Sequence, residues 1–356
     1  CDKEKADDWV WIMDHTIQLG PWKCLIVVGI RLSRWLSDRG PLRHEDMTLL
    51  NLTPMTKSTG EIVHQQLRDT MEKVGRPRGI VSDGGSDLKR GMELLREDHP
   101  QVRHILDMKH KNATLLKKEL SSDHRWASFV TQANQTKLGV TQTALAFLNP
   151  PSLKTKARYM NLDKLVSWAV EALDYLDHPR ESPAQPVDRH KLKEKLGWLR
   201  RYRRALKHWS ELLAIARAAE EYIHAEGVHP LITDELRERL TPLATTPPGR
   251  RLKAALLGFV AEQSASLPKG ERLIGSSEVL ESIIGKYKRL QSSHSKGGMT
   301  AMLLSIGAIV GHKTAPAIKT ALQSVTTDNV MAWCKDNLGV TLQAQRKLSL
   351  GATKTG

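Results

Sequence analysis

The sequence predicts an α/β fold: a mixed sheet flanked by helices and interrupted by a large all-α insertion. Three observations carry this. Strand and helix signals alternate over about the first 110 residues. Residues 112–268 then show almost only helical spacing. Beyond them, a helix that opens on acids and closes on bases is expected around Ser277–Gln291.

Trp9–Met13, rich in Trp and Ile, is the first expected strand. Lys23–Ile30 is a short continuous apolar run and reads as a buried second strand. Met47–Leu52 is the third. Pro54 and Gly60 punctuate the chain, and Glu61–Val74 has helical spacing through Ile62, Leu67, Met71 and Val74. Gly75-Arg-Pro77 ends that helix. Gly79–Ser82 is the fourth strand, and Asp83-Gly-Gly-Ser86 a tight turn. Ser86 or Asp87 can cap a helix running to about Glu97. His104–Leu106 is the fifth strand, ending at Asp107. The order is therefore β-β-β-α-β-α-β.

Helices are then expected at Ala113–Leu120, Arg125–Leu148, Asn161–Leu176, Lys191–Ala225, Asp234–Leu240 and Arg250–Ser266. Breaks fall at Pro150-Pro151, from Pro179 to Pro186, and at Pro247-Pro248-Gly249. Lys296-Gly-Gly298 reads as a link before helix-forming Met299–Val310 and Ala315–Val325. The polar tail after Arg346 is expected to be disordered. This divides the chain into an α/β core of residues 1–111 and 269–335, a helical insertion of 112–268, and a polar tail of 336–356.

The charge balance narrows the partners. Lys and Arg number 54 against 39 Asp and Glu, a net charge of +15, and the pI is about 9.7. Such a surface favours polyanions, nucleic acid above all. Cys1, Cys24 and Cys334 are too few and scattered for a disulfide framework or a zinc site, which suits a reducing cytoplasm or nucleoid. No apolar run reaches the ~18–20 residues that span a bilayer; Met302–Val310 is too short. No signal peptide, Walker loop or dinucleotide fingerprint appears. The chain opens on Cys1, directly before a strand, so a longer protein with a further N-terminal domain is expected.

Acids at the ends of apolar runs carry the chemistry. Asp14 closes Trp9–Met13, and Asp83 closes Arg78–Ser82. Glu278 and Glu281 lie three apart and share a helix face, with Lys286, Lys288 and Arg289 following. Three converging carboxylates can hold two Mg²⁺ or Mn²⁺ ions, and two ions can cut or join phosphodiesters. Each acid has a plainer reading. Asp14 could be a turn residue, Asp83 a turn residue with Asp87 a cap, and either glutamate a solvated surface acid. Glu281 fits the acid-then-base pattern better than Glu278.

Arg189–Lys207 is dense in positive charge, including Arg200, Arg201, Arg203, Arg204 and Lys207, with Trp198, Tyr202 and Trp209 nearby. Phosphate neutralisation with aromatic stacking would bind nucleic acid. An amphipathic helix with a solvated basic face explains much of the same run, with Trp198 and Trp209 as core anchors. His190, His208 and His224 read as ordinary surface histidines.

Asp14 and Asp83 on strands one and four, a late helical Glu281 and a helical insertion resemble the ribonuclease-H-like fold of DDE transposases. Ser276-Ser-Glu-Val-Leu-Glu281-Ser, followed by Lys286, Lys288 and Arg289, is similar to the late glutamate helix of bacterial insertion-sequence transposases. It lacks their usual Asn and Gly. Asp107-Met-Lys-His110 resembles the Asp-x-x-His of hAT and Mutator-like transposases. The resemblance implies that Asp107 orients a ligand and His110 approaches the scissile phosphate; otherwise they are a strand-end Asp and a surface His. It also implies metal-dependent cleavage of transposon ends, strand transfer, and a homo-oligomer on DNA without a membrane. The alternatives are a ribonuclease-H-like nuclease without strand transfer and a non-catalytic DNA-binding relative.

Overall fold

A computed structural model describes residues 3–19, 22–38, 40–152, 162–179, 188–292, 299–311, 314–340 and 342–351. Most of the expected Pro179–Pro186 break and the Lys296-Gly-Gly298 link lie outside these residues. The chain forms two compact units. One comprises Cys1–Lys109, Ile223–Pro230 and Ser266–Gly356; the other comprises His110–Tyr222 and Leu231–Ala265.

The first unit is built on five strands: β1 (Trp9–Leu19), β2 (Trp22–Arg31), β3 (Thr48–Met55), β4 (Pro77–Ser82) and β5 (Arg103–Leu106). They form one mixed sheet in the order β3-β2-β1-β4-β5. β2 runs antiparallel to β1 and β3, while β1, β4 and β5 are parallel. This is the α/β, ribonuclease-H-like core that the strand order predicts.

β1 is longer than its apolar run. Pairing with β2 continues through Asp14↔Ile26, His15↔Leu25 and Thr16↔Cys24. Asp14 is therefore a mid-strand residue, and neither a strand end nor a turn. The cause is tertiary: the antiparallel partner supplies backbone hydrogen bonds to a polar stretch that shows no strand pattern of its own.

Strand alternation sorts the side chains of β1. Trp9, Trp11 and Met13 enter a core with Leu25 and Val27 of β2. Val63 and Leu67 of α2 (Gly60–Val74) and Leu88, Met92 and Leu95 of α3 (Ser86–Asp98) complete it. Each such side chain stabilises the fold by ~1.5–3 kcal/mol on burial. Val10, Ile12 and Asp14 alternate with this set, which assigns them to the opposite face of the sheet. A seven-residue helix, α1 (Leu32–Asp38), lies between β2 and β3 and escapes the periodicity because it spans only two turns.

The second unit is helical. It draws on α4 (Met108–Ser122), α5 (His124–Val140), α6 (Leu162–Asp177), α7 (Arg189–Leu196), α8 (Arg203–Glu226), α9 (Ile232–Leu240) and α10 (Pro247–Ser264). The expected helix Lys191–Ala225 is interrupted by a 3-10 stretch, Gly197–Tyr202. The expected Arg125–Leu148 ends at Val140, with a short 3-10 turn at Ala146–Leu148.

The remaining elements belong to the first unit. They are α11 (Glu278–Ser292), α12 (Ser305–Ile309), α13 (Ala315–Ser324), α14 (Thr327–Asn337) and α15 (Leu342–Gly351). A 3-10 turn, Ala301–Leu304, precedes α12, so the expected Met299–Val310 helix is split. The expected disorder after Arg346 does not hold for residues 347–351, which continue α15. Its Gln, Ala, Arg, Lys and Leu residues are good helix formers, which outweighs their polarity. Among the described residues, no helix is long and apolar enough to cross a membrane.

Candidate active site

β1 and β4 are adjacent and parallel, and their last paired residues are Met13 and Ser82. Asp14 and Asp83 are each the next residue, so they stand side by side where β4 ends. Neighbouring strands are ~4.8 Å apart. Gly85 N donates to Asp83 Oδ1 at 2.9 Å, which orients that carboxylate within its turn. Gly85 is also the residue that precedes α3, in the capping position expected of Ser86 or Asp87. Asp87 instead lies 3.1 Å from His15 Nε2 and accepts from Leu88 N at 3.0 Å.

α11 packs against β1 and brings Glu281 toward Asp14. Burial raises the Asp14 pKa to about 7; the charges of Asp83 and Glu281 add to this, while a His15 hydrogen bond and Lys288 oppose it. Asp14 thus feels both other acids. Burial also raises Glu281, assisted by Asp107 and Glu278 and opposed by Lys109.

Two clamps fix the start of α11. Asp107 is 2% exposed, and its Oδ1 accepts from Ser277 N at 2.9 Å. Its own N–H donates to Ser82 O at 2.9 Å, tying β5 to the end of β4. Lys109 is the second clamp. Its Nζ lies 3.0 Å from Glu281 Oε2 and 3.3 Å from Glu278 Oε1. Ahead of α11 in the chain, Leu273 forms an antiparallel bridge with Val228. Gly227 makes this approach possible: its φ is +69°, and a Cβ there would come within 2.4 Å of Leu273 O.

Glu278 and Glu281 have separate surroundings. Glu278 lines a cavity of about 430 Å³ with His44, Glu45, His224 and Ser282. His224 Nδ1 lies 3.3 Å from Glu278 Oε2. That contact, against some burial, and the Lys109 ammonium pull Glu278 down to about 2. His224 is therefore no ordinary surface histidine; the pairing was hidden because 54 residues separate it from Glu278 (278 − 224). Lys109 was likewise missed. Its only sequence signal is its place between Asp107 and His110.

The electrostatics bring Asp14, Asp83, Glu281, Asp107 and Lys288 into one neighbourhood. Lys286 is half-buried on α11, while Lys288 and Arg289 are exposed there. His110 belongs to the second unit and is exposed.

The basic run also lies in the second unit. Arg200, Arg201, Arg203, Arg204 and Lys207 are all exposed. Arg200 and Arg203 pair with Asp177, and Arg201 donates to Gln132 Oε1 at 3.0 Å. Arg204 and Lys207 make no ion pair among the described residues. Of the interleaved aromatics, Tyr202 and Trp209 are buried and Trp198 is half-buried. Trp198, Tyr202 and Trp209 pack with Trp126 and Phe129 at centroid distances of 4.9–6.2 Å. Their polar atoms are satisfied inside: Trp198 by Thr136, Tyr202 by Ser128 and Trp209 by Asp123. The helical period that exposes the arginines turns the aromatics inward.

The donor chemistry suits a hard divalent ion: carboxylate oxygens, partly desolvated and repelling one another. The set is not preformed. Among the described residues, no three His, Cys, Asp or Glu side chains are gathered closely enough to hold a metal as they stand, and Lys109 is on Glu281.

No family model matches the chain, and no curated protein matches it. Among solved structures, the Drosophila P element transposase strand transfer complex is similar at 11% identity, covering 88% of this chain and 80% of that chain, with a TM-score of 0.39. The HTLV-2 integrase catalytic core domain in complex with magnesium, in its dimeric form, is similar at 14% identity, covering 51% and 93%, with a TM-score of 0.20. A chain of the simian T-cell lymphotropic virus intasome is similar at 12% identity, covering 53% of this chain and little more than half, 56%, of that chain, with a TM-score of 0.21.

Proposed function

We propose that this chain is the catalytic core of a DDE-type DNA transposase, with Asp14, Asp83 and Glu281 as ligands of two Mg²⁺ or Mn²⁺ ions. One observation carries the reading. Two aspartates stand side by side on adjacent parallel strands, and Asp14 is perturbed by both Asp83 and Glu281. Such mutual repulsion costs stability unless a cation offsets it. Bound divalent ions would supply Lewis acidity toward a phosphodiester.

The chain's own residues set the stage for that chemistry. Asp83 is oriented by Gly85 N, and Asp107 holds the N-terminus of the Glu281 helix. With a pKa of about 7, Asp14 holds a proton part of the time near neutrality, and as a metal ligand it would serve as the carboxylate. Lys288, Lys286 and Arg289 supply positive charge on the same helix for DNA phosphates, as do Arg200, Arg201, Arg203, Arg204 and Lys207 in the second unit. His110 remains a candidate for approach to the scissile phosphate. The substrates in this reading are transposon ends and target DNA, handled by a homo-oligomer.

The Lys109–Glu281 pair favours one rival, a non-catalytic DNA-binding relative in which a lysine has replaced the metal. Incubation with DNA carrying a mobile element's ends, with Mg²⁺ or Mn²⁺ and with chelator, separates them. Metal-dependent cleavage and joining supports the transposase, and cleavage without joining supports a nuclease. DNA binding without either reaction would overturn the catalytic reading.

A further inference from the structure

We propose that Lys109 is a tethered counter-cation: its ammonium holds Glu281 until a divalent ion arrives, then withdraws to Glu278. The inference rests on the reading of Asp14, Asp83 and Glu281 as metal ligands.

The geometry supplies both positions of the lysine. Nζ is 3.0 Å from Glu281 Oε2 and 3.3 Å from Glu278 Oε1, so it already bridges the two acids. A small shift leaves it on Glu278 alone. Glu278 is prepared to receive it, because His224 Nδ1 anchors the other oxygen at 3.3 Å. The Lys109 side chain is only 22% exposed, so its stem is packed and its head has limited range. Its backbone is also fixed. Asp107, two residues earlier, is bonded to Ser82 O and to Ser277 N, which are parts of β4 and the start of α11.

Charge explains the exchange. A single ammonium cannot offset Asp14, Asp83 and Glu281 together, whereas divalent ions can. Lys109 therefore competes with metal for one ligand while it relieves repulsion in the metal-free protein. The same pair accounts for Glu278 and Glu281 both being acidic. One belongs to the site, and the other receives the displaced lysine.

The test is Mn²⁺ titration by calorimetry on the whole chain, comparing wild type, Lys109→Met, Lys109→Arg and Asp83→Asn. Lys109→Met keeps the stem and removes the competing charge, so its Kd for Mn²⁺ should fall about tenfold, a modest fraction of a close charge pair's Coulomb energy. Lys109→Arg should stay near wild type, and Asp83→Asn should bind far more weakly. Unchanged or weaker binding by Lys109→Met, alongside impaired Asp83→Asn, would overturn the role of Lys109 and leave the metal site standing. Wild-type binding by Asp83→Asn would instead defeat the metal-site reading itself. Thermal melts at rising Mn²⁺ serve if Lys109→Met is too unstable to titrate. A larger Mn²⁺-induced rise than in wild type supports the proposal. An equal or smaller rise, or failure to fold at any Mn²⁺ concentration, reduces Lys109 to a structural support.

Discussion

Asp14, Asp83 and Glu281 come from a strand, a strand end and a helix far apart in the chain, whereas Arg200 to Lys207 follow one another within eight residues. The acids are partly buried, and burial with the charges of Asp83 and Glu281 raises Asp14 to about 7. The bases are exposed, and several rest on a neighbouring Asp177 or Gln132. The difference separates two uses of charge. Charge that folding must gather and partly desolvate is costly, and such cost is retained where it does chemistry. Charge strewn along an exposed helix face costs little and adds phosphate contacts one at a time.

Trp209 gives the largest expected effect. The fully buried Trp209 sits in an aromatic cluster with Trp126, Phe129 and Tyr202. Trp209→Ala should cost ~3–5 kcal/mol in urea denaturation, and the protein that remains folded should bind DNA as before. A large loss of DNA affinity with unchanged stability would return this residue to a stacking role.

Asp14→Asn sharpens the acidic half. The folded pKa of Asp14 lies above its ordinary value of 3.8, near 7. The folded chain then holds more protons than the unfolded chain across that interval. Stability contributed by the protonated group is complete below about pH 4 and is lost as pH rises through 7. Without metal, Asp14→Asn should therefore be more stable than wild type at pH 8, by on the order of 2 kcal/mol. The gap should close toward pH 4. Melts at both pH values check this, and a gap that widens in acid would contradict the burial of Asp14 among acids.

The smallest effect concerns the bases. Arg204→Glu with Lys207→Glu removes two bases that make no ion pair among the described residues. It should weaken DNA binding about tenfold at ~0.1 M salt and lower the salt slope by about two. Arg200→Glu with Arg203→Glu should do less, because both guanidinium groups already rest on Asp177. No effect from either pair would make the run a solvated helix face only, and equal losses would mean that Asp177 does not hold Arg200 and Arg203 back from DNA.

The sheet was legible because its strands are apolar runs, such as Lys23–Ile30, bounded by turn residues. The end of β1 was not legible, since His15 onward pairs with β2 for reasons that lie in β2. Helices of the second unit were readable by period, but the Gly197–Tyr202 interruption was not. Strand order and the acid-then-base pattern of α11 grouped Asp14, Asp83 and Glu281 as candidates, and the fold sets Asp14 beside Asp83 with the charge of Glu281 acting on Asp14. Lys109, His224 and the capping role of Asp107 could not. Each acts through a partner at long separation (Ser277 for Asp107, Glu278 for the other two), and no local pattern records such a pairing.

If Asp14 and Asp83 hold metal, Glu281 and not Glu278 is the third acid of one metal-dependent site. Mg²⁺-dependent nicking of DNA by Asp14→Asn, Asp83→Asn, Glu281→Gln and Glu278→Gln tests it most directly, with DNA binding measured beside it. The first three variants should lose nicking by a factor of about 1,000 or more, as expected when a ligand of catalytic metal is lost. They should still bind DNA, and Glu278→Gln, which removes the acceptor for Lys109 but no metal ligand, should lose far less activity than those three. Nicking at the wild-type rate by Glu281→Gln, or by either aspartate variant, would contradict the account.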